Sequence, residues 1–289
     1  MRLLILVLLL LPTVTAAQPA RTLRLEVEND WLALKPSLPL PTDWDYTSGL
    51  AVVFETAAAR PSYTTRRRWT LGQRLYTPHR FSTRPRAGDR PFAGWLYVGG
   101  RFEKEERHRV RAVEAEVGIV GPQAFGEETQ NGFHRLLGVS ERAGWANQLP
   151  FEPGFAVRAE EARRFHAQGP AGVAVEVRPA LLVGAGTIWS GVAAGTRVYV
   201  GPSHPRGWQP RAEAGVRGEW VLRNEFLDGT AFRESMRAER IPFVGEAHIG
   251  VSLGWGPVTA GYRVVARTRE YEAQHEPHAY GALSLTVAF

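Results

Sequence analysis

The strongest constraint on what this chain can fold into is a period of two. Segments of about ten residues alternate apolar with polar or small side chains. Leu23, Leu25 and Val27 alternate with Arg24, Glu26 and Glu28, and Arg111, Val113, Ala115 and Val117 with Ala112, Glu114 and Glu116. Val173, Val175, Val177 and Pro179 alternate with Ala174, Glu176 and Arg178, while Phe243, Gly245, Ala247, Ile249 and Ser252 belong to a less regular segment. Successive side chains of a strand point to opposite faces, so each segment reads as a strand with one apolar and one polar face. Two architectures use such strands: a soluble sandwich with the apolar faces inward, and a membrane barrel with them outward. Alternation alone does not separate the two.

The ends of the chain do. Arg2, the apolar run Leu3 to Leu11 and the small residues Val14-Thr15-Ala16-Ala17 have the layout of an export signal, too short to span a bilayer as a helix. Residues 1–17 are therefore expected to be a signal peptide and residues 18–289 one domain. The chain has no cysteine, which excludes a disulfide framework. Leu283, Leu285, Val287 and Phe289 alternate with Ser284, Thr286 and Ala288. An alternating segment that ends on an aromatic residue resembles the last strand of bacterial outer-membrane barrels. A charge facing lipid near the bilayer midplane costs about 2–4 kcal/mol, so the charged faces must look into a polar lumen. The expected fold is all-β: a transmembrane antiparallel β-barrel of about twelve strands in the bacterial outer membrane.

Strands are expected to begin near Thr22, Tyr46, Arg67, Gly94, His108, Gly154, Gly172, Ser190, Pro210, Ile241, Pro257 and Tyr280. With an even strand count both barrel ends of the chain lie in the periplasm. The connections Trp31 to Asp45, Thr77 to Ala93, Gly121 to Pro150 and Asn224 to Arg240 then fall outside, and turns such as Gly254-Trp255-Gly256 fall inside. One extracellular connection carries a short helix, from about Gly126-Glu127-Glu128 to Gly138. Its acidic first turn, Arg135 in the last turn and Gly138 as left-handed cap suit the helix ends, and Gln130 and His134 share a face. The formal net charge is +6. The arginines are spread over strands rather than gathered for nucleic acid, except for Arg80, Arg84, Arg86 and Arg90. That cluster is either a solvated loop or a site for an anionic glycolipid with phosphate groups.

Polar motifs gather where this threading puts the extracellular strand ends: Glu28-Asn29-Asp30-Trp31, Asp45-Tyr46-Thr47-Ser48-Gly49, Leu75 to Arg80, Gly88 to Trp95 and Gly118 to Gly138. Asn29 and Asp30 can offer oxygens to a hard cation such as calcium, and are equally readable as a strand-end turn. Together "END", "DYTSG", "YTP", "DRPFAGW", "GIVGP", "QNGFH" and "GW" resemble, in order and spacing, the LpxR-type lipid A 3′-O-deacylases. The resemblance covers about Leu23 to Gln148; the second half is similar mainly as strands. It implies a calcium-dependent ester hydrolase of the outer membrane acting on lipid A of lipopolysaccharide. It further implies His134 as catalytic base, Gln130 and Thr47 as active-site residues, and Asn29 and Asp30 beside the metal.

Two positions depart from the family pattern. The family lysine after the "YTP"-like motif has only arginines here, with Arg80 or Arg84 as substitutes and Arg90 as a third substrate-binding candidate. The family glutamate after the helix falls on Ser140, with Glu141 one place later. The expected mechanism is attack of water, deprotonated by His134, on the ester carbonyl. Ser48, beside Thr47, offers a nucleophilic alternative, though it lacks the G-x-S-x-G elbow. The rival functions are an outer-membrane phospholipase or other esterase and a non-catalytic, porin-like barrel. The expected partners are lipid A and membrane lipid, not nucleic acid, and the expected state is a monomer.

Overall fold

The structure is a computed structural model that describes residues 21–33, 45–78, 86–203 and 207–289. Thirteen strand segments follow one another along the chain: β1 (Arg21–Asn29), β2 (Asp45–Ala59), β3 (Tyr63–Thr77), β4 (Ala93–Glu106), β5 (Arg109–Val120), β6 (Glu152–Arg163), β7 (Phe165–Gln168), β8 (Val173–Gly186), β9 (Trp189–Pro202), β10 (Gln209–Asn224), β11 (Phe243–Trp255), β12 (Val258–Arg267) and β13 (His278–Ala288). Each pairs antiparallel with its neighbours, and β1 pairs with β13. β6 and β7 are two pieces of one wall strand. Both pair with β8 in one unbroken register, Ala162 opposite Ala180 and Phe165 opposite Val177. The gap falls at Arg164, whose N–H turns to the carbonyl of His108. The result is a closed barrel of twelve wall strands, as the sequence leads one to expect.

The two faces sort as the lipid argument requires. Leu23, Leu25, Val113, Val117, Leu181, Val183, Ile249, Val251, Leu283 and Leu285 are exposed on the outer wall. The charged residues between them meet inside as ion pairs: Arg101 with Glu160 at 3.1 Å, Arg158 with Glu116 at 3.1 Å, Arg267 with Glu246 at 3.4 Å. They enclose a cavity of about 490 Å³. Its outer end is stoppered by an apolar cluster containing Trp95, Tyr97, Leu149, Ile188 and Phe226, with Tyr76 packed against it. Trp95 stacks on Tyr97 at 5.9 Å and Tyr76 on Phe226 at 4.0 Å between ring centroids.

Strand starts differ from the sequence reading by at most a few residues, most at β3, which begins at Tyr63 rather than near Arg67. The strand takes in all three consecutive arginines, Arg66 to Arg68. In the barrel, Arg66 and Arg68 reach Glu105 and Glu55 at 3.4 and 2.8 Å, and a strand accommodates them.

Candidate active site on the outer wall

The helix in the connection after β5 is α1 (Gly126–Leu137). Phe125, at φ +57°, turns the chain into it. At its end Gly138, at φ +70°, lets its own N–H and that of Val139 return to Arg135 and His134 carbonyls. α1 lies against the outside of the barrel. The outward register of β3 runs through the exposed Trp69 and Leu71 to Gln73 and Leu75. Gln73 Nε2 donates to the carbonyl of Ala124 at 2.6 Å, just before the helix. Leu75 packs with Phe92 and Trp145 under it. The approach is close enough to require glycine: a Cβ on Gly126 would stand 2.5 Å from the Trp145 ring, and one on Gly94 3.2 Å from Ala124.

Gln130, Asn131 and His134 form the buried face of α1. The Trp145 indole N–H donates to Gln130 Oε1 at 2.7 Å. An indole nitrogen can only donate, so the amide orientation is forced: oxygen toward Trp145, NH₂ away from it. Gln130 is 4% exposed, and its Nε2 has no hydrogen-bond partner among the described residues. His134 Nδ1 lies 2.7 Å from the Ser140 carbonyl. A carbonyl only accepts, so Nδ1 carries a proton and donates it there, which leaves Nε2 as the nitrogen that can act as a base. Asn131 ties the helix to the following loop, exchanging two hydrogen bonds with the backbone of Arg142.

Asn29, Asp30 and Thr47 come from the neighbouring wall strands. Asn29 lies opposite Ser48 and caps a single 3-10 turn, its side chain accepting from Trp31 N at 2.8 Å. Asp30 is 3% exposed in that turn. The β2–β3 register slips between Tyr46 and Ser48, leaving Thr47 as an extra residue in a bulge. Strict alternation would point Tyr46 away from the lumen; instead its hydroxyl bonds Glu28 inside the barrel. The Thr47 hydroxyl lies 2.6 Å from that of Thr77, which shares the outward register of Leu75. A chain of contacts, Asn29 beside Ser48, Thr47 on Thr77, Leu75 on Trp145 and Trp145 on Gln130, thus strings the motifs along one sector of the outer rim.

The basic cluster fares differently. Arg80 and Arg84 lie outside the described residues. Arg90 is no solvated loop residue; it is fully buried between Asp45 and Glu270, with the rings of Tyr76 and Tyr271 on its guanidinium. Glu141 is exposed and pairs with Arg135 at 3.0 Å, while Ser140 serves His134 through its backbone.

Sequence reading overlooked the connection from β12 to β13. The Tyr271 hydroxyl lies 2.9 Å from Asp45 and 3.0 Å from Asp89 and shares its one proton between them, and Gln274 donates to Asp45 at 3.1 Å. Burial, and then the Asp45 carboxylate, push the Tyr271 phenol well above its ordinary value, so it stays a donor. Asp45 sits at φ +63°, two residues before Thr47. This clamp fixes the entry to the bulge. Its partners Asp45 and Asp89 are 226 and 182 residues away, so no local spacing marks it.

The residues at the Asn29–Asp30 end fit a hard cation in donor type. A buried carboxylate, an amide oxygen and threonine hydroxyls are all oxygens, as calcium prefers. Among the described residues no three His, Asp or Glu side chains are grouped closely enough to hold a metal. Carbonyl, water or substrate oxygens would have to complete its six to eight contacts.

The family profile described as outer membrane protein LpxR matches residues 3–289. Among solved structures, LpxR from Salmonella typhimurium is 22% identical, covers 93% of this chain and 100% of its own, and superposes with a TM-score of 0.80. The β domain of the Bordetella autotransporter BrkA is 12% identical over 93% of this chain and 99% of its own, with a TM-score of 0.52. No curated protein matches the sequence. With a profile match spanning nearly its whole length, the chain belongs to the family of outer membrane protein LpxR.

Proposed function

We propose that this outer-membrane protein is a lipid A deacylase that hydrolyses the ester linking the 3′ acyloxyacyl chain to lipid A of lipopolysaccharide. The supporting observation is the fixed polarity of two buried side chains on one helix face: Nε2 of His134 as a base and Nε2 of Gln130 as an unpartnered donor. Family membership supplies the substrate class. His134 Nε2 takes a proton from water as the water oxygen attacks the ester carbonyl. The Gln130 amide donates to the oxyanion that develops, and such a donor is worth about 2.7–4 kcal/mol. As the tetrahedral intermediate collapses, the imidazolium returns the proton to the departing sugar oxygen. The Ser140 carbonyl accepts from Nδ1 throughout, so Nε2 is the nitrogen that gains and returns the proton. Thr47, pinned on Thr77, and Asn29 line the same rim and orient the substrate.

Calcium bound at Asp30 and Asn29 would supply positive charge to substrate oxygens. Its binding is measurable apart from turnover, as calcium-dependent stabilisation that Asp30→Asn abolishes. Arg80 and Arg84 remain the candidates for contacts to lipid A phosphates. A conducting pore is a poorer reading, because ion pairs and the apolar stopper occupy the lumen.

The test is mass spectrometry of lipid A from cells expressing the wild type or His134→Ala. The expected result is loss of the 3′ acyloxyacyl mass with the wild type alone. Unchanged lipid A with correctly inserted wild-type protein sinks this reading and directs the assay to phospholipid esters.

A further inference from the structure

The surface of α1 divides into three sectors. At about 100° per residue, the buried Gln130, Asn131 and His134 lie in one sector, with the exposed Glu127 of the first turn among them, and Glu128 with Arg135 lies in the next. Leu136, Thr129, Phe133 and Leu137 follow one another around the third, an arc of roughly 100°. Phe133, Leu136 and Leu137 are exposed there, Leu136 to 79%. Phe125, also exposed, enters the helix beside the wall residue Gln73. A soluble helix does not keep three large apolar side chains on one open flank and its charges on the other.

The wall next to α1 says what covers that flank. Trp69 and Leu71 on β3, Val98 on β4 and Val117 on β5 are exposed on the outward face of the barrel, the face that meets acyl chains. Gln73 lies two residues further into the barrel than Leu75 and bonds the start of the helix. The start of the helix is therefore seated on the lipid-facing wall and its apolar arc is open, while the opposite flank carries Glu128 and the exposed Arg135–Glu141 pair.

We propose that α1 is an interfacial helix, its flank of Phe133, Leu136 and Leu137 immersed in the acyl chains of the outer leaflet and its Glu128–Arg135 flank in water. The geometry is that of a helix lying in the membrane plane. The face with Gln130 and His134 then looks onto the wall at the depth where acyl chains meet headgroups. The inference stands on the helix surface and requires no hydrolytic step.

The lack of cysteine makes the test direct. Leu136→Cys, Glu128→Cys and, as a wall reference, Val98→Cys are each labelled with a small environment-sensitive fluorophore. The full barrel is reconstituted in phosphatidylcholine vesicles with or without bromine on the acyl chains. Heat-modifiable gel mobility confirms the fold, and Leu137→Cys replaces Leu136→Cys if that variant does not fold. Brominated chains are expected to quench the Leu136 and Val98 labels at least threefold more than the Glu128 label. Quenching at Leu136 no greater than at Glu128 overturns the proposal. So does shielding of Leu136 from both bromolipid and aqueous iodide, which would mean that protein covers the flank.

Discussion

Replacing Gln130 with Met tests the site where its logic is most exposed. The side chains are close in volume, so the helix face keeps its packing. The substitution removes both halves of the amide. On the oxygen side, the fully buried Trp145 indole N–H loses its acceptor, which costs about 1–3 kcal/mol of stability. On the nitrogen side, the donor for the developing oxyanion disappears, about 2.7–4 kcal/mol of barrier or a fall of about 10²–10³ in kcat. Trp145→Phe separates the two. It keeps the amide and removes the tether that aims it, a net hydrogen bond of about 1 kcal/mol, so kcat should fall about fivefold, while the space left by the smaller ring lowers the urea midpoint. The assay is single-turnover release of the acyloxyacyl chain from purified lipid A in mixed micelles, with urea midpoints recorded for each variant. A fall of less than fivefold for Gln130→Met would refute the assignment of Nε2 to the oxyanion. If Trp145→Phe fell as far as Gln130→Met, the indole would be doing more than orienting the amide.

His134→Ala should lose about 10²–10⁴ in rate with little change in folding, as expected for a general base; a residual rate within tenfold of wild type places the base elsewhere. Ser48→Ala should keep at least a third of the activity, and a fall to the His134→Ala level would favour an acyl-enzyme. Gly126→Ala drives a Cβ into the Trp145 ring and should cost about 1–3 kcal/mol, read as a lower urea midpoint. Glu225, in the extracellular turn after β10, is pushed up to about 7 by burial first, with Glu152 adding and Arg223 opposing. Between pH 4.5 and 7 the folded state therefore holds more protons than the unfolded one, and stability falls as pH rises through that window by ~3 kcal/mol. Glu225→Gln should remove this slope. The protection factor against hydrogen exchange of the Phe232 amide, whose N–H bonds Glu152 at 3.1 Å, should report it locally, and a protection factor that does not change with pH in the wild type would count against it.

The barrel was legible because lipid imposes one rule on every strand, and each strand carries that rule in its own residues. The helix was legible for the same reason: Glu127, Glu128, Arg135 and Gly138 mark its ends locally. Motif resemblance put Gln130 and His134 together, but their roles rest on Trp145 and Ser140, partners that no spacing rule singles out. The bulge at Thr47 was invisible, since a one-residue slip shows only against the partner strand. Arg90 was misread because its partners are far away in sequence; Asp45 and Tyr271, which enclose it, are 226 residues apart.

The seam between β1 and β13 joins segments at opposite ends of the described chain, Thr22 opposite Ala288 and Asn29 opposite Gly281. Every other wall contact can form between strands that are near neighbours in sequence; this one cannot. Until it zips, the growing sheet carries two bare edges that can pair with any other strand they meet. The slowest contact to find is thus also the one that ends the danger of aggregation. A lesion that weakens the seam should lower the yield of inserted protein well before it lowers the activity of the molecules that close.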